Sequence, residues 1–247
     1  MKNSRRDFIK KSALGVAGIT LGSTMNMSAK SYANIIGSND KVRVGILGFS
    51  NRFRGALGKS FLKYAKEMNF ELFTVCDIWN RRRDEGQAWY KEQAGGDLRT
   101  ARNTDELWSQ KPDAVIISTA DFQHALHTAE AVRAGCDVYV EKPIGRTIEE
   151  CNLMVKAAKK YKSVVQVGQW QRSDKHWQDA VDFIQSGKLG KIRLVRVFSY
   201  QGWCPTIPVV ADEPVPAGVN YDMWLGPAPN RPFNRNRYHF TFRWFWD

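Results

Sequence analysis

Four cysteines, at positions 76, 136, 151 and 204, are too few and too irregularly spaced for a zinc site or a disulfide framework. Two of them stand at the ends of predicted strands, where a thiol serves as a small core residue. No apolar run approaches the roughly 20 residues needed to span a bilayer, and no internal repeat supports a solenoid. Acidic side chains are outnumbered, 25 against 37 lysines and arginines, for a net charge of +12. Six basic and one acidic side chain fall within residues 1–33, so +7 belongs to the remainder. The strip from Arg231 to Arg243 mixes arginines with aromatics, a composition that stacks bases or lines a pocket for sugars and anions; no nucleic-acid partner is expected. What is present is ordinary for a globular enzyme, 43% hydrophobic and 25% charged.

The first residues form a signal. Ser4-Arg5-Arg6-Asp7-Phe8-Ile9-Lys10 is a twin-arginine pattern, followed by a mildly apolar segment from Ser12 to Gly22 and a small-residue cleavage pattern at Ser31-Tyr32-Ala33. Residues 1–33 therefore read as a twin-arginine signal peptide and 34–40 as a linker. The expected destination is the periplasm, and the expected first partner is the twin-arginine export machinery.

Beyond the linker, strand and helix patterns alternate as far as Val167. Lys41 to Phe49 is an apolar strand running into glycine and then into a helix-compatible stretch from Arg54 to Lys66. In a dinucleotide site such a turn brings backbone N–H groups to the pyrophosphate at a helix N-terminus. The glycine fingerprint is imperfect: counting from Gly48, its second and third positions hold Ser50 and Phe53, and Gly55 comes two residues late. The next strand, Phe70 to Cys76, ends in Asp77, placed to accept from a ribose 2′-hydroxyl. Arg81, Arg82 and Arg83 follow and offer a site for a 2′-phosphate, so the expected cofactor is NAD with NADP as the alternative. Asp113 to Thr119 is almost wholly apolar, as a parallel strand covered on both faces should be, and a helix is expected from Ala125 to Ala134. Val138, Tyr139 and Val140 form a further buried strand that delivers Glu141 and Lys142 to its carboxyl end, where open α/β sheets bind ligands. Pro143 holds Lys142 out of the helical region. A lysine there can move a proton to or from a substrate hydroxyl. The pattern predicts a Rossmann-type doubly wound parallel sheet.

The succession of Val44-Gly-Ile-Leu-Gly48, Val75-Cys-Asp77, Asp113-Ala-Val-Ile-Ile-Ser-Thr119 with His124 five residues on, and Val138-Tyr-Val-Glu-Lys-Pro143 resembles the glucose-fructose oxidoreductase, inositol dehydrogenase and rhizopine-catabolism (Gfo/Idh/MocA) family. Three later stretches extend the resemblance toward Asp247: Val165 to Arg172, Ser186 to Lys191 and Asp222 to Pro229. The resemblance implies a Rossmann domain over 41–165, then an α+β substrate and oligomerisation domain from 166, built in the family on an open, mainly antiparallel sheet. It implies hydride transfer between a sugar or cyclitol carbinol and tightly bound NAD(P), with Lys142 as the acid–base group. It assigns Gly48, Phe49, Ser50, Asn51 and Arg52 to the pyrophosphate turn and Asp77 to the ribose. It also assigns Thr119, Phe122 and His124 to the adenosine and ribose wall, Glu141 to the neighbourhood of the nicotinamide ribose, and Gln169 and Arg172 to cofactor or sugar.

Nine tryptophans are many for this length, and indole faces pack well on sugar C–H faces. Trp170, Trp203 and Trp224 are thus substrate candidates, with Tyr221, Arg237, Tyr238 and His239 as further polar ones. The segment from Pro205 to Pro216 reads as a loop over the cleft. The chain ends in Trp244-Phe-Trp-Asp247, where the resemblance implies a continuation carrying a Gly-x-x-x-Asp-x-Gly-x-His motif. It therefore reads as a fragment of a homo-oligomeric parent, with the second domain incomplete. Two rivals share the fold: an enzyme that cleaves glycosides by transient oxidation and elimination, and a carbohydrate-binding protein with a vestigial nucleotide site.

Overall fold

The computed structural model describes residues 41–200, 202 and 206–245. The expected signal and linker, and Trp203, lie outside the described residues. Six strands, β1 Val42–Leu47, β2 Phe70–Cys76, β3 Arg99–Ala101, β4 Ala114–Ile117, β5 Asp137–Val140 and β6 Val165–Val167, form one parallel sheet in the order β3-β2-β1-β4-β5-β6. This is the doubly wound order, in which the chain reverses direction across the sheet between β1 and β4 and leaves a crevice at their carboxyl ends. The strands are short and apolar because both faces are covered.

Alternation along the strands divides the core into two layers. Leu47, Ile117 and Val140 pack on one face with Ala131, Val132 and Met154. These come from α4 His124–Arg133 and α5 Ile148–Tyr161. Ile46, Ile116 and Val75 pack on the other face with Phe49, Phe53 and Trp89, Trp89 belonging to α2 Asn80–Ala94. A short α3, Thr104–Ser109, is capped by Asn103, whose side chain accepts from the Glu106 amide at 2.8 Å.

The first helix starts earlier than its apolar pattern predicts. It runs continuously from residue 51, through a π-helical turn at Phe53–Leu57 into α1 Gly58–Ala65. Phe53 is fully buried against Phe49 and Trp89, with ring centroids 5.7 and 5.8 Å away. The close helix approach that a third fingerprint glycine would permit is displaced to Gly58: a Cβ there would stand 2.5 Å from the Trp89 ring. The wide π turn fits a bulky residue into the fingerprint position and moves the glycine one turn along.

After β6 come α6 Lys175–Gln185 and α7 Tyr221–Leu225, with short 3₁₀ turns. Among the described residues no strand follows Val167; the one pairing there is an antiparallel bridge between Trp79 and Val219. Residues 192–200 alternate like a strand, yet Val197 and Tyr200 are more than nine-tenths exposed and the segment joins no ladder among the described residues.

Candidate functional site

A cleft of about 1300 Å³ opens along the carboxyl ends of the strands. The turn after β1 is built around Gly48, whose φ of +88° belongs to the left-handed region and whose added Cβ would meet Thr119 Cγ2 at 2.9 Å. Only glycine fits there. Ser118 Oγ donates to the Gly48 carbonyl at 2.7 Å, pinning this turn to the end of β4. Ser50, at the second fingerprint position, caps the helix: its Oγ accepts from the Phe53 amide at 3.2 Å. Phe49 reaches the cleft through its backbone, because its ring is buried in the core.

Asp77 ties the first two strands together at this edge. Its Oδ2 accepts from the Phe49 amide at 2.9 Å and its Oδ1 from the Trp79 amide at 3.0 Å. Burial pushes its carboxyl above the usual range, against the pull of those two amides and of Arg82 and Arg83. Each oxygen keeps a lone pair for a further donor. The arginines next to it are occupied: Arg82 bonds Glu85 at 2.9 Å and Asn51 at 3.3 Å, and Arg83 bonds the Asp77 carbonyl at 2.7 Å. Arg81 stacks on Trp79 at 3.7 Å.

Thr119 and His124 form the wall after β4. The two ring nitrogens of His124 face carbonyl oxygens, Nδ1 that of Pro143 at 2.7 Å and Nε2 that of Thr119 at 3.1 Å. His124 is 2% exposed and so braces the β4 loop against the lysine loop. Below it His127 meets Thr119 Oγ1 at 3.1 Å through Nδ1, and burial, helped by His124, drives its pKa down to about 3.

At the end of β5, Glu141 is buried and Lys142 is exposed on the cleft wall. Glu141 Oε1 accepts from Arg52 Nε at 3.0 Å and its Oε2 from the Lys142 amide at 3.3 Å. The pyrophosphate turn and the lysine loop are thereby joined through one buried carboxylate. The Lys142–Pro143 bond is cis. Gln169, Trp170 and Arg172, exposed beyond β6, line the same end.

Trp224 and Tyr238 sit at the opposite end, with Trp79: Tyr238 is 6.0 Å from Trp79 and 4.6 Å from Trp224. Phe122 is not on the cleft wall, because its ring packs edge-on to Trp224 and Phe242, both at 5.6 Å. Tyr221 and Arg237 are likewise off the wall. Nor do the described residues 206–216 line the cleft as a loop over it; Glu213 donates to the Phe233 carbonyl and Asn234 to the Val210 carbonyl, which draws that loop onto 233–234 instead. Sequence reading gave no weight to Trp79, and its position two residues after Asp77 was the signal that could have singled it out. Among the described residues there is no cluster able to hold a metal ion and no helix long and apolar enough to cross a membrane.

The Gly48 cradle and the Ser50-capped helix start fit a dinucleotide. At that helix start the Asn51 and Arg52 amides have no intrahelical acceptor, and Asp77, which holds the Phe49 amide, lines the same cleft. The family model for the oxidoreductase family's NAD-binding Rossmann fold matches residues 42–169, and the model for that family's C-terminal alpha/beta domain matches 184–247. An inositol 2-dehydrogenase of Saccharopolyspora erythraea is 28% identical over 60% of this chain and 42% of its own length. The rhizopine catabolism protein MocA of Rhizobium meliloti is 27% identical over 74% and 54%. A glycosyl hydrolase family 109 protein of Solibacter usitatus is 28% identical over 61% and 35%. The chain thus spans about half or less of the length of these relatives. Among solved structures, the WlbA dehydrogenase of Chromobacterium violaceum, in complex with NADH and UDP-GlcNAcA, matches with a TM-score of 0.53 and 27% identity over 61% of this chain and 41% of that one. Myo-inositol 2-dehydrogenase of Lactobacillus plantarum matches with 0.51 and 25% over 62% and 43%.

Proposed function

Since the chain belongs to the Gfo/Idh/MocA oxidoreductase family and carries its NAD-binding Rossmann domain, we propose that the protein is an exported oxidoreductase acting on a carbinol of a sugar or cyclitol, with Lys142 as the acid–base group. The observation that carries this reading is the position of Lys142: exposed at the carboxyl end of β5, in one cleft with the Gly48 turn and Asp77. When bound, NAD supplies the hydride acceptor. Gly48 to Arg52 would hold its pyrophosphate, Asp77 its adenosine ribose, and Glu141 with Gln169 the other end. Lys142 Nζ takes the hydroxyl proton as the carbinol is oxidised and returns it on reduction. Arg52 and Glu141 fix the backbone from which that amine projects, and Arg172 and Trp170 offer a guanidinium and an indole face to a polyhydroxylated ring.

The export signal rests on the ordered twin-arginine, apolar and cleavage patterns of residues 1–33. An enzyme that leaves the cytoplasm folded needs its nucleotide loaded beforehand and returned to its starting redox state by its own substrates. The test is to denature the purified full-length protein and quantify the nucleotide released by mass spectrometry; stoichiometric NAD is expected, and empty protein that ignores added nucleotide would sink the reading. In the same preparation Lys142→Met should keep its nucleotide and lose between about 10²- and 10⁴-fold in turnover.

A second reading, glycoside cleavage by transient oxidation, elimination and re-reduction, is favoured by the likeness to a glycosyl hydrolase family 109 protein. Release of the aglycone from an aryl glycoside without net change in nucleotide would select it.

A further inference from the structure

The post-β2 edge of the cleft is covered by a segment distant in sequence. Asn80 donates to the Gly218 carbonyl at 3.1 Å, Asn220 to the Ile78 carbonyl at 2.9 Å, and Trp79 Nε1 to the Ala217 carbonyl at 3.2 Å. The cover is fastened a second time at the β4 loop, where the Gln123 amide donates to the Met223 and Trp224 carbonyls at 2.7 and 2.9 Å. From this doubly anchored segment His239 projects to the cleft wall, its ring 5.1 Å from Trp79.

Three features of His239 call for a ligand. Its φ of 55° lies in the left-handed region, a conformation a non-glycine residue adopts at a cost and which recurs at ligand clamps. Burial and the neighbouring Arg82 and Arg81 drive its pKa down to about 4, so at working pH the neutral ring offers one nitrogen as donor and the other as acceptor. Among the described residues its ring packs on Trp79 and Tyr238, and neither nitrogen has a hydrogen-bond partner there. Arg81 lays its guanidinium over the Trp79 indole at 3.7 Å and also lines the cleft.

We propose that Trp79, Arg81 and His239 form a clasp for the purine of the bound dinucleotide, so that the segment around 217–243 closes the adenosine end and slows release of the cofactor. A purine offers π faces to an indole or guanidinium and ring nitrogens to an imidazole. Asp77, two residues before Trp79, places the attached ribose at the same edge. The clasp rests on the cofactor-binding part of the function proposed above.

The test loads the full chain with labelled NAD and follows loss of label against an excess of unlabelled NAD, with a parallel measurement of nicotinamide mononucleotide binding. His239→Ala and Trp79→Leu are expected to release label at least about tenfold faster than wild type, as loss of one stacking partner predicts, and to bind the mononucleotide, which lacks a purine, as before. Trp79→Phe should restore slow release. Because the His239 ring lies on the cleft wall and not in the sheet core, its variant separates loss of the clasp from misfolding. Unchanged release in His239→Ala and Trp79→Leu, or equal weakening of the mononucleotide, overturns the clasp. Fast release in the variants from a wild type that turns over no carbinol or glycoside supports the clasp and overturns the oxidoreductase reading alone. A wild type that is first stripped of its resident nucleotide and then takes up no label overturns both.

Discussion

Gly48 and His127 show how single residues hold the cleft. Replacing Gly48 by alanine forces a left-handed φ on a residue with a Cβ and drives that carbon onto Thr119. The expected cost is about 2 kcal/mol, a fall of roughly 4–8 °C in Tm for a chain of this size, read by thermal denaturation. His127 has a lowered pKa, about 3 in the fold against 6.5 for a free ring. Between those values the unfolded chain binds the proton more readily, so stability is full above about pH 6.5 and is lost as the pH falls toward 3. The loss from this one group approaches about 1.4 kcal/mol per pH unit. Urea midpoints from pH 7 to pH 4 should show this acid limb, and His127→Asn should flatten it.

At the scale of elements, the helix start and the lysine loop make separable contributions. Ser50→Ala removes the cap on the Phe53 amide and should cost about 1 kcal/mol, whereas Ser50→Gly, which restores the fingerprint glycine, should cost only a few tenths. Arg52→Met leaves the buried Glu141 carboxylate without its ion-pair partner. The expected loss is on the order of 2 kcal/mol, below that of a fully buried pair because Arg52 is partly exposed. Adding Glu141→Gln should recover part of it, which a double-mutant cycle on chemical denaturation would measure. The strands, the glycine turn, Asp77 and Lys142 were legible in the sequence because each is announced by neighbours within a few residues. Arg52–Glu141 spans 89 positions, and no local pattern foretells it. The same holds for the cover on Trp79, which arrives through backbone carbonyls that any residue could supply. Ser50 and Phe53 looked like defects in a fingerprint until the cap and the π turn gave each a purpose.

Across the whole molecule, the sheet depends on residues 42–167, and later segments complete the cleft at its carboxyl edge. Ligand linkage should therefore be strong: at a hundredfold excess over Kd, NAD should stabilise the fold by about 2.7 kcal/mol, and Lys142→Met should preserve that gain in a denaturation series. Hydrogen exchange should separate two classes of amide, with those of β1 and β4 protected in the sheet interior and those of 192–198 exchanging faster. The separation of Trp79 from Ala217 by 138 positions also has a meaning in time. A ribosome adding about 5–20 residues per second delivers the covering segment roughly 7–28 seconds after the edge it will cover, so with the clasp proposed above the order of synthesis itself leaves the adenosine end open for nucleotide to enter and shuts it last.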